Sequence, residues 1–183
     1  MGEIKFGKLK TKYKGRVLEM KECLVTFPNG QKEIFEFCER PDSVTILAFD
    51  KKGRLLLTKE RRRFDSDHAS LFLPGGRVDH ETDPALAAHR ELREETGFDA
   101  KYLKKLYSRT SGSNMVVFHV HVFAARGLFP SPLVGDEHYP IKIVPIALSK
   151  AVKMALNGEI ENEFLAYHVI RFSYMLRHGQ FKW

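Results

Sequence analysis

Three glutamates constrain this chain more than any other feature. Glu91, Glu94 and Glu95 stand three and four residues apart in Arg90-Glu91-Leu92-Arg93-Glu94-Glu95-Thr96-Gly97-Phe98. That spacing places them on one face of a helix, where like charges repel and destabilise an isolated helix. The helix therefore needs a counter-charge, either a cation or the neighbouring Arg90 and Arg93. Its ends are well marked. Asp83 suits an N-cap, Pro84 suits the first helical position, and Gly97 suits the C-terminal stop. Ala85, Leu86, Ala87, Ala88 and Leu92 supply its apolar side. Clustered carboxylates with no cysteine and no paired histidine favour a hard, oxygen-ligated ion such as Mg²⁺ or Mn²⁺. Such an ion usually completes its shell with water and substrate phosphates. The Gly75-Gly76 turn leaves backbone carbonyls accessible to the same ion. The competing reading is a solvated acidic face with Arg90 and Arg93 as surface partners. The fixed register of the Gly-Gly turn, the Arg-Glu pair and Gly97 favours the site.

The rest of the chain reads as strands before and after this helix, with helices at the end. Residues 16–27 and 31–38 alternate in part, and Pro28-Asn29-Gly30 between them is a hairpin signal, because Asn and Gly tolerate positive φ. Val44-Thr45-Ile46-Leu47-Ala48-Phe49 reads as a buried strand, followed by a turn at residues 50–53 and a strand at Leu55-Leu56-Leu57. Ser70-Leu71-Phe72-Leu73 is a short strand. Residues 101–107, 115–124 and 141–146 read as further strands, and 148–156 and 161–176 as helices. This order predicts a mixed α/β (α+β) fold with helices covering a sheet.

Charge is uneven. Of the 30 Lys+Arg and 23 Asp+Glu, residues 1–63 hold 16 basic and 9 acidic, and the remaining residues hold 14 of each. The whole excess of +7 lies in the first third, which suits a phosphate-bearing ligand. No apolar run approaches the roughly 20 residues of a membrane span. The first residues carry no signal-peptide pattern. Cys23 and Cys38 read as reduced thiols. These points make a cytoplasmic protein with no membrane contact the expectation.

The segment 75–98 resembles the Nudix box, Gly-x5-Glu-x7-Arg-Glu-(apolar)-x-Glu-Glu-x-Gly-(apolar). Gly76, Arg90, Glu91, Leu92, Glu94, Glu95, Gly97 and Phe98 match. The first glutamate of the pattern should fall at position 82, where this chain has Thr82; Glu81 is its neighbour and substitutes with a small loop shift. The resemblance implies a Nudix fold, an α/β/α sandwich around a mixed sheet. It implies Mg²⁺-dependent hydrolysis of a nucleoside diphosphate linked to another moiety, with Mn²⁺ as a substitute ion. By carry-over, Glu91 and Glu95 are the principal metal ligands, Glu94 lies near the same ions, the Gly75 carbonyl is a further ligand, and Arg90 orients the glutamates. Mg²⁺ then neutralises the diphosphate and activates the attacking water.

More of the chain resembles the ADP-ribose and nucleotide-sugar pyrophosphatase branch. The features are the Pro28-Asn29-Gly30 hairpin, Leu56-Leu57 followed by Arg62, and Gly158-Glu159-Ile160 between the last two helices. The branch implies a homodimer built by an N-terminal antiparallel β extension, here residues 1–42, ahead of a hydrolase domain at 43–183. Arg40 and Arg62 are the candidates for diphosphate contacts, since Arg can hold phosphate bidentately. Glu137 in Gly135-Asp136-Glu137-His138 occupies the place of the catalytic base, with Asp136 and His138 as rivals. Many ADP-ribose hydrolases carry Ser-Pro-Gly followed by a sugar-contacting Glu. Thr110-Ser111-Gly112-Ser113-Asn114-Met115 has neither, which leaves other nucleotide sugars such as GDP-mannose open. Ser113 and Asn114 can hydrogen-bond a sugar hydroxyl. Alternatives are a nucleoside triphosphate or RNA-cap pyrophosphatase, or a nucleotide-binding regulator that hydrolyses nothing. Nucleic acid is the less favoured partner, because no basic platform interleaved with aromatic residues is evident.

Overall fold

In the computed structural model, residues 2–61, 68–79, 81, 83–110, 115–135 and 140–183 are described. In chain order the strands among them are β1 (Lys5–Phe6), β2 (Lys10–Lys14), β3 (Glu19–Thr26), β4 (Lys32–Glu39), β5 (Ser43–Ala48), β6 (Arg54–Glu60), β7 (Ser70–Phe72), β8 (Phe98–Thr110), β9 (Val116–Val117), β10 (His119–Pro130) and β11 (Lys142–Ala147). The helices are α1 (Pro84–Thr96), α2 (Leu148–Leu156) and α3 (Glu163–Arg177). The chain divides into two compact units, Met1–Ser43 with Ser108–Val120, and Val44–Tyr107 with His121–Trp183.

The first unit is built on one sheet. Strand β3 pairs with β4 on one side and with β1 and β2 on the other, all antiparallel, and β9 adds to β4 in parallel. The β3–β4 hairpin turns at Pro28-Asn29-Gly30, but by different chemistry from the sequence expectation. Only Gly30 takes a positive φ, at 84°. Asn29 instead uses its side chain, whose Oδ1 accepts the Gln31 amide at 3.0 Å. That is the Asx route to a turn, which leaves Asn29 itself in ordinary backbone geometry. Strands β1 and β2 escaped the sequence reading because every residue in them is exposed, so no apolar alternation marks them. Cys23 lies opposite Phe35 and Cys38 opposite Met20, so the two thiols are three rungs apart, and both are free.

The second unit holds two three-stranded sheets, β5-β10-β8 and β11-β6-β7. Helix α1 packs Ala87, Ala88 and Leu92 into a core of Val44, Ile46, Ala48, Leu56, Phe123 and Ala125. Small alanines let the helix approach the sheet closely, and Leu92 fills the remaining depth; side chains of this size are worth about 1.5–3 kcal/mol each when fully buried. Phe49, Phe172, Phe181 and Trp183 form a second aromatic cluster, with ring centroids 5.0–6.5 Å apart. The chain has a mixed α/β fold; α1 and α3 start at the side-chain caps Asp83 and Asn162, whereas α2 starts after Ala147 with no side-chain cap. No helix among the described residues is long and apolar enough to cross a membrane.

Candidate active site

The site begins with the backbone of the Gly-Gly turn. Ile46 donates its amide to the Pro74 carbonyl and Val44 to the Gly76 carbonyl, both at 2.9 Å, so the turn is hydrogen-bonded to β5. Gly75 has φ +153°, and a Cβ there would lie 3.0 Å from the Thr45 Cα and collide with the Val44 carbonyl oxygen. A glycine is therefore required by the close approach of two backbones. Gly76 is required for another reason. A Cβ on it would lie 2.6 Å from Oε2 of Glu91, so the bare Cα makes the space this carboxylate occupies.

Helix α1 delivers the carboxylates. Asp83 caps it, with its side chain accepting the Ala85 amide, and Gly97 closes it at φ 74° with its amide on the Arg93 carbonyl. Glu91 and Glu95, one turn apart, are 9% and 6% exposed, so both belong to the packed face of the helix. Oε2 of Glu95 accepts the Gly75 amide at 2.9 Å, a bond that ties helix to turn across twenty residues.

Arg90 is the hub. Its Nε donates to Glu81 at 2.6 Å, its Nη1 to Glu91 at 2.9 Å and to Glu94 at 2.8 Å, and its Nη2 to the Arg77 carbonyl at 2.8 Å. Burial opposes the charge on Arg90, but the three glutamates around it hold the guanidinium pKa above its ordinary value. Burial is the largest influence on the Glu81 carboxyl and raises it, but the hydrogen bond and charge of Arg90 together with backbone amide hydrogen bonds outweigh it, so the net shift is downward. The like charges at 91 and 94 thus share one cation, which offsets their repulsion, while Glu95 is held separately by the Gly75 amide.

The structure brings together Gly75, Gly76, Glu81, Arg90, Glu91, Glu94, Glu95 and Gly97 of the residues singled out in the sequence. Arg40 belongs to the first unit, where its Nη2 donates to Ser43 Oγ at 2.6 Å and its guanidinium lies 4.2 Å from the Phe118 ring centroid. Arg62, Thr82, Ser113, Asn114 and Glu137 lie outside the described residues. Two contributors were missed. The Arg77 carbonyl is invisible to any reading of side-chain types. Arg93, a surface ion-pair partner only in the competing reading, donates Nε to the Ser131 carbonyl at 2.9 Å. Ser131 returns its amide to the Gly97 carbonyl at 2.9 Å, so the end of α1 anchors the segment that follows β10.

A donor set of carboxylates and backbone carbonyls, free of thiol and imidazole, suits a hard divalent cation. Among the described residues no three acidic, histidine or cysteine side chains gather into a ready-made cage.

Comparison with known proteins follows the same line. A family model described as the NUDIX domain matches residues 39–168. The chain is 27% identical over 159 residues to an ADP-ribose pyrophosphatase of Bacillus subtilis (strain 168), covering 86% of this chain and 85% of the relative. It is 33% identical over 145 residues to a CMP-5'-(N-acetyl-N-hydroxy-3-aminopropyl)phosphonate hydrolase of Streptomyces rubellomurinus, covering 78% of this chain and 69% of the relative. The crystal structure of an ADP compounds hydrolase superposes with a TM-score of 0.82 at 22% identity, covering 99% of this chain and 98% of the other. At that identity the last likeness speaks for the fold alone.

Proposed function

This chain belongs to the NUDIX domain family, in its ADP-ribose pyrophosphatase branch, and from that premise we propose that it hydrolyses the diphosphate bond of a nucleoside diphosphate sugar. The products are a nucleoside monophosphate and a sugar phosphate, and ADP-ribose and GDP-mannose represent the substrate class. The observation that carries the reading is the Arg90-centred cluster of Glu81, Glu91 and Glu94, with Glu95 bonded to the Gly75 amide. A solvated acidic face has no use for a glycine whose missing Cβ makes room for one of its carboxylates.

Glu91, Glu94, Glu95 and the Gly75 carbonyl would hold Mg²⁺, or Mn²⁺ in its place. When bound, the ion supplies charge neutralisation at the diphosphate and a lowered pKa for water. The chain's own residues do the rest. Glu95 holds the Gly75–Gly76 turn against α1, so the carbonyl and the carboxylates keep one geometry. Arg90 keeps Glu91 and Glu94 directed. The family resemblance makes Arg40 and Arg62 the candidates for the phosphate oxygens, and Ser113 and Asn114 the candidates for the sugar hydroxyls. The Glu137 carboxylate accepts the proton of the attacking water as its oxygen bonds to phosphorus and the bridging P–O bond breaks.

Phosphate-product analysis tests this directly, with ADP-ribose, GDP-mannose, UDP-glucose, diadenosine polyphosphates and deoxynucleoside triphosphates as substrates. The expected result is cleavage of a nucleotide sugar to monophosphate products, abolished by EDTA and restored by Mg²⁺. Release of inorganic diphosphate from a nucleoside triphosphate, with nucleotide sugars untouched, overturns the reading. Mg²⁺-dependent binding without turnover of any substrate would make this chain a binding protein.

The first unit also supports the homodimer. Its sheet exposes Leu24 and Ile34 on one face, opposite each other across β3 and β4, and Phe6 and Phe35 on the other. Large apolar side chains exposed on a small sheet suit an interaction surface. Light scattering is expected to give about twice the 21.1 kDa of one chain. A mass of one chain at micromolar concentration removes the dimer.

A further inference from the structure

The family pattern places its first glutamate at position 82, yet this chain's carboxylate at position 81 holds Arg90. We propose that Glu81 is the positioning residue of this site: displaced by one residue, it clamps Arg90 and thereby aims the Glu91 and Glu94 carboxylates. The inference rests on the proposed reading only in taking the α1 carboxylates as the reactive centre. The displacement itself is a property of this chain.

The geometry supports more than proximity. A guanidinium is rigid and planar, so fixing one edge fixes the direction of the remaining nitrogen. Here that edge is held twice, at Nε by Glu81 and at Nη2 by the Arg77 carbonyl. The nitrogen left over, Nη1, then points at Glu91 and Glu94 together. Glu81 is itself held from two sides. Oε1 meets Arg90, and Oε2 accepts the Asp79 amide at 3.1 Å. Asp79 is in turn ion-paired to Arg77 at 3.2 Å. A closed circuit results, from the loop at 77–81 through Arg90 to the helix.

Burial decides whether such a pair matters. An exposed ion pair is worth little because solvent screens it and side-chain entropy opposes it. The side chains of Glu81 and Arg90 are only 16% and 28% exposed, and each has further fixed partners. Without Glu81, Nε loses its anchor, and the Arg77 carbonyl is the one partner left that fixes the guanidinium independently of the two carboxylates it aims. Glu91 and Glu94 would then lose their common direction, although neither residue has changed.

The experiment is a Mn²⁺ titration of metal-free protein without substrate, read as free Mn²⁺ by electron paramagnetic resonance, for wild type, Glu81→Gln and Glu81→Thr. Steady-state kinetics and melting temperatures accompany it. Loss of an outer-shell partner typically costs about 10–100-fold in metal affinity or activity, and both variants are expected to lose that much Mn²⁺ affinity. The value of kcat falls by a similar factor, while KM for the sugar nucleotide moves by less than about threefold, as expected for an interaction that aims ligands without touching substrate. In an Arg90→Ala background, Glu81→Thr is expected to add less than about threefold, since residues acting through one contact are not additive. Mn²⁺ affinity within about threefold of wild type in both variants overturns the proposal. So do losses from Glu81 and Arg90 that multiply as independent sites. Glu81→Gln preserves volume and an oxygen toward Arg90, so it decides the matter if Glu81→Thr fails to fold. Should wild type cleave no nucleotide sugar, the proposed substrate falls, while the titration still judges Glu81.

Discussion

Replacing Glu95 with glutamine is expected to lower kcat by about a thousandfold and to leave the melting temperature within a few degrees of wild type. The two halves of that expectation come from different parts of one side chain. Oε2 of Glu95 accepts the Gly75 amide, and the amide oxygen of glutamine can accept it equally well. The link between helix and turn therefore survives, and so does the shape of the site. Charge does not survive. A divalent ion contributes several kcal/mol of charge stabilisation in such reactions, and each 1.36 kcal/mol is a factor of ten. On the proposed reading, losing one anionic ligand from a set in which Glu91 and Glu94 are already shared with Arg90 would remove about three factors of ten. Single-turnover kinetics alongside a thermal melt would show it. Activity within tenfold of wild type would remove Glu95 from the reaction and leave it as a brace for the turn. Glu95→Ala provides the contrast, because it also strands the buried Gly75 amide, at about 1–3 kcal/mol. A stable, inactive glutamine variant beside a less stable alanine variant would separate the charge from the hydrogen bond.

How much of this could be read without coordinates differs from element to element, for physical reasons. Helix α1 was legible almost to the residue, because Asp83, Pro84 and Gly97 each satisfy a local backbone requirement that needs no distant partner. The β3–β4 hairpin was legible for the same reason, though the work falls to Gly30 and to the Asn29 side chain. Strands β1 and β2 were not legible. They are strands because β3 offers them an edge, and their exposed residues carry no periodicity of their own. The carboxylate face was visible from helical spacing alone, but its organisation was not. Arg90 meets the Arg77 carbonyl thirteen residues away, and Arg93 reaches Ser131 across thirty-eight. Contacts made through backbone atoms at such separations leave no mark on the pattern of side-chain types. Glu81 stands between these cases: its one-residue offset was visible, and only the bond to Arg90 gave the offset a meaning.

The two glycines of the turn make the sharpest stability prediction, because adjacent identical residues should respond differently to the same change. Gly75→Ala is expected to destabilise the protein by about 3 kcal/mol or more, adding backbone strain to a steric clash of similar size. The atoms in the way belong to backbone, the Val44 carbonyl and the Thr45 Cα, and neither can rotate aside. Moving them would also break the bonds from Val44 to Gly76 and from Ile46 to Pro74 that join the turn to β5. For a chain of this length each kcal/mol shifts the melting temperature by about 2–4 °C, so a fall of roughly 10 °C is expected. Gly76→Ala meets a different obstacle, the end of the Glu91 side chain, which can rotate away. That variant should stay folded, with a melting temperature a few degrees from wild type at most. Its activity should fall about a hundredfold, since Glu91 is displaced from the place Arg90 holds it and misplacement of about 1 Å is worth that much. A thermal melt and a rate measurement on the two variants read the contrast. If Gly75→Ala melts with wild type, the close approach of the turn to β5 is wrong. If Gly76→Ala keeps full activity, the position of Glu91 against that Cα is not the one the reaction uses.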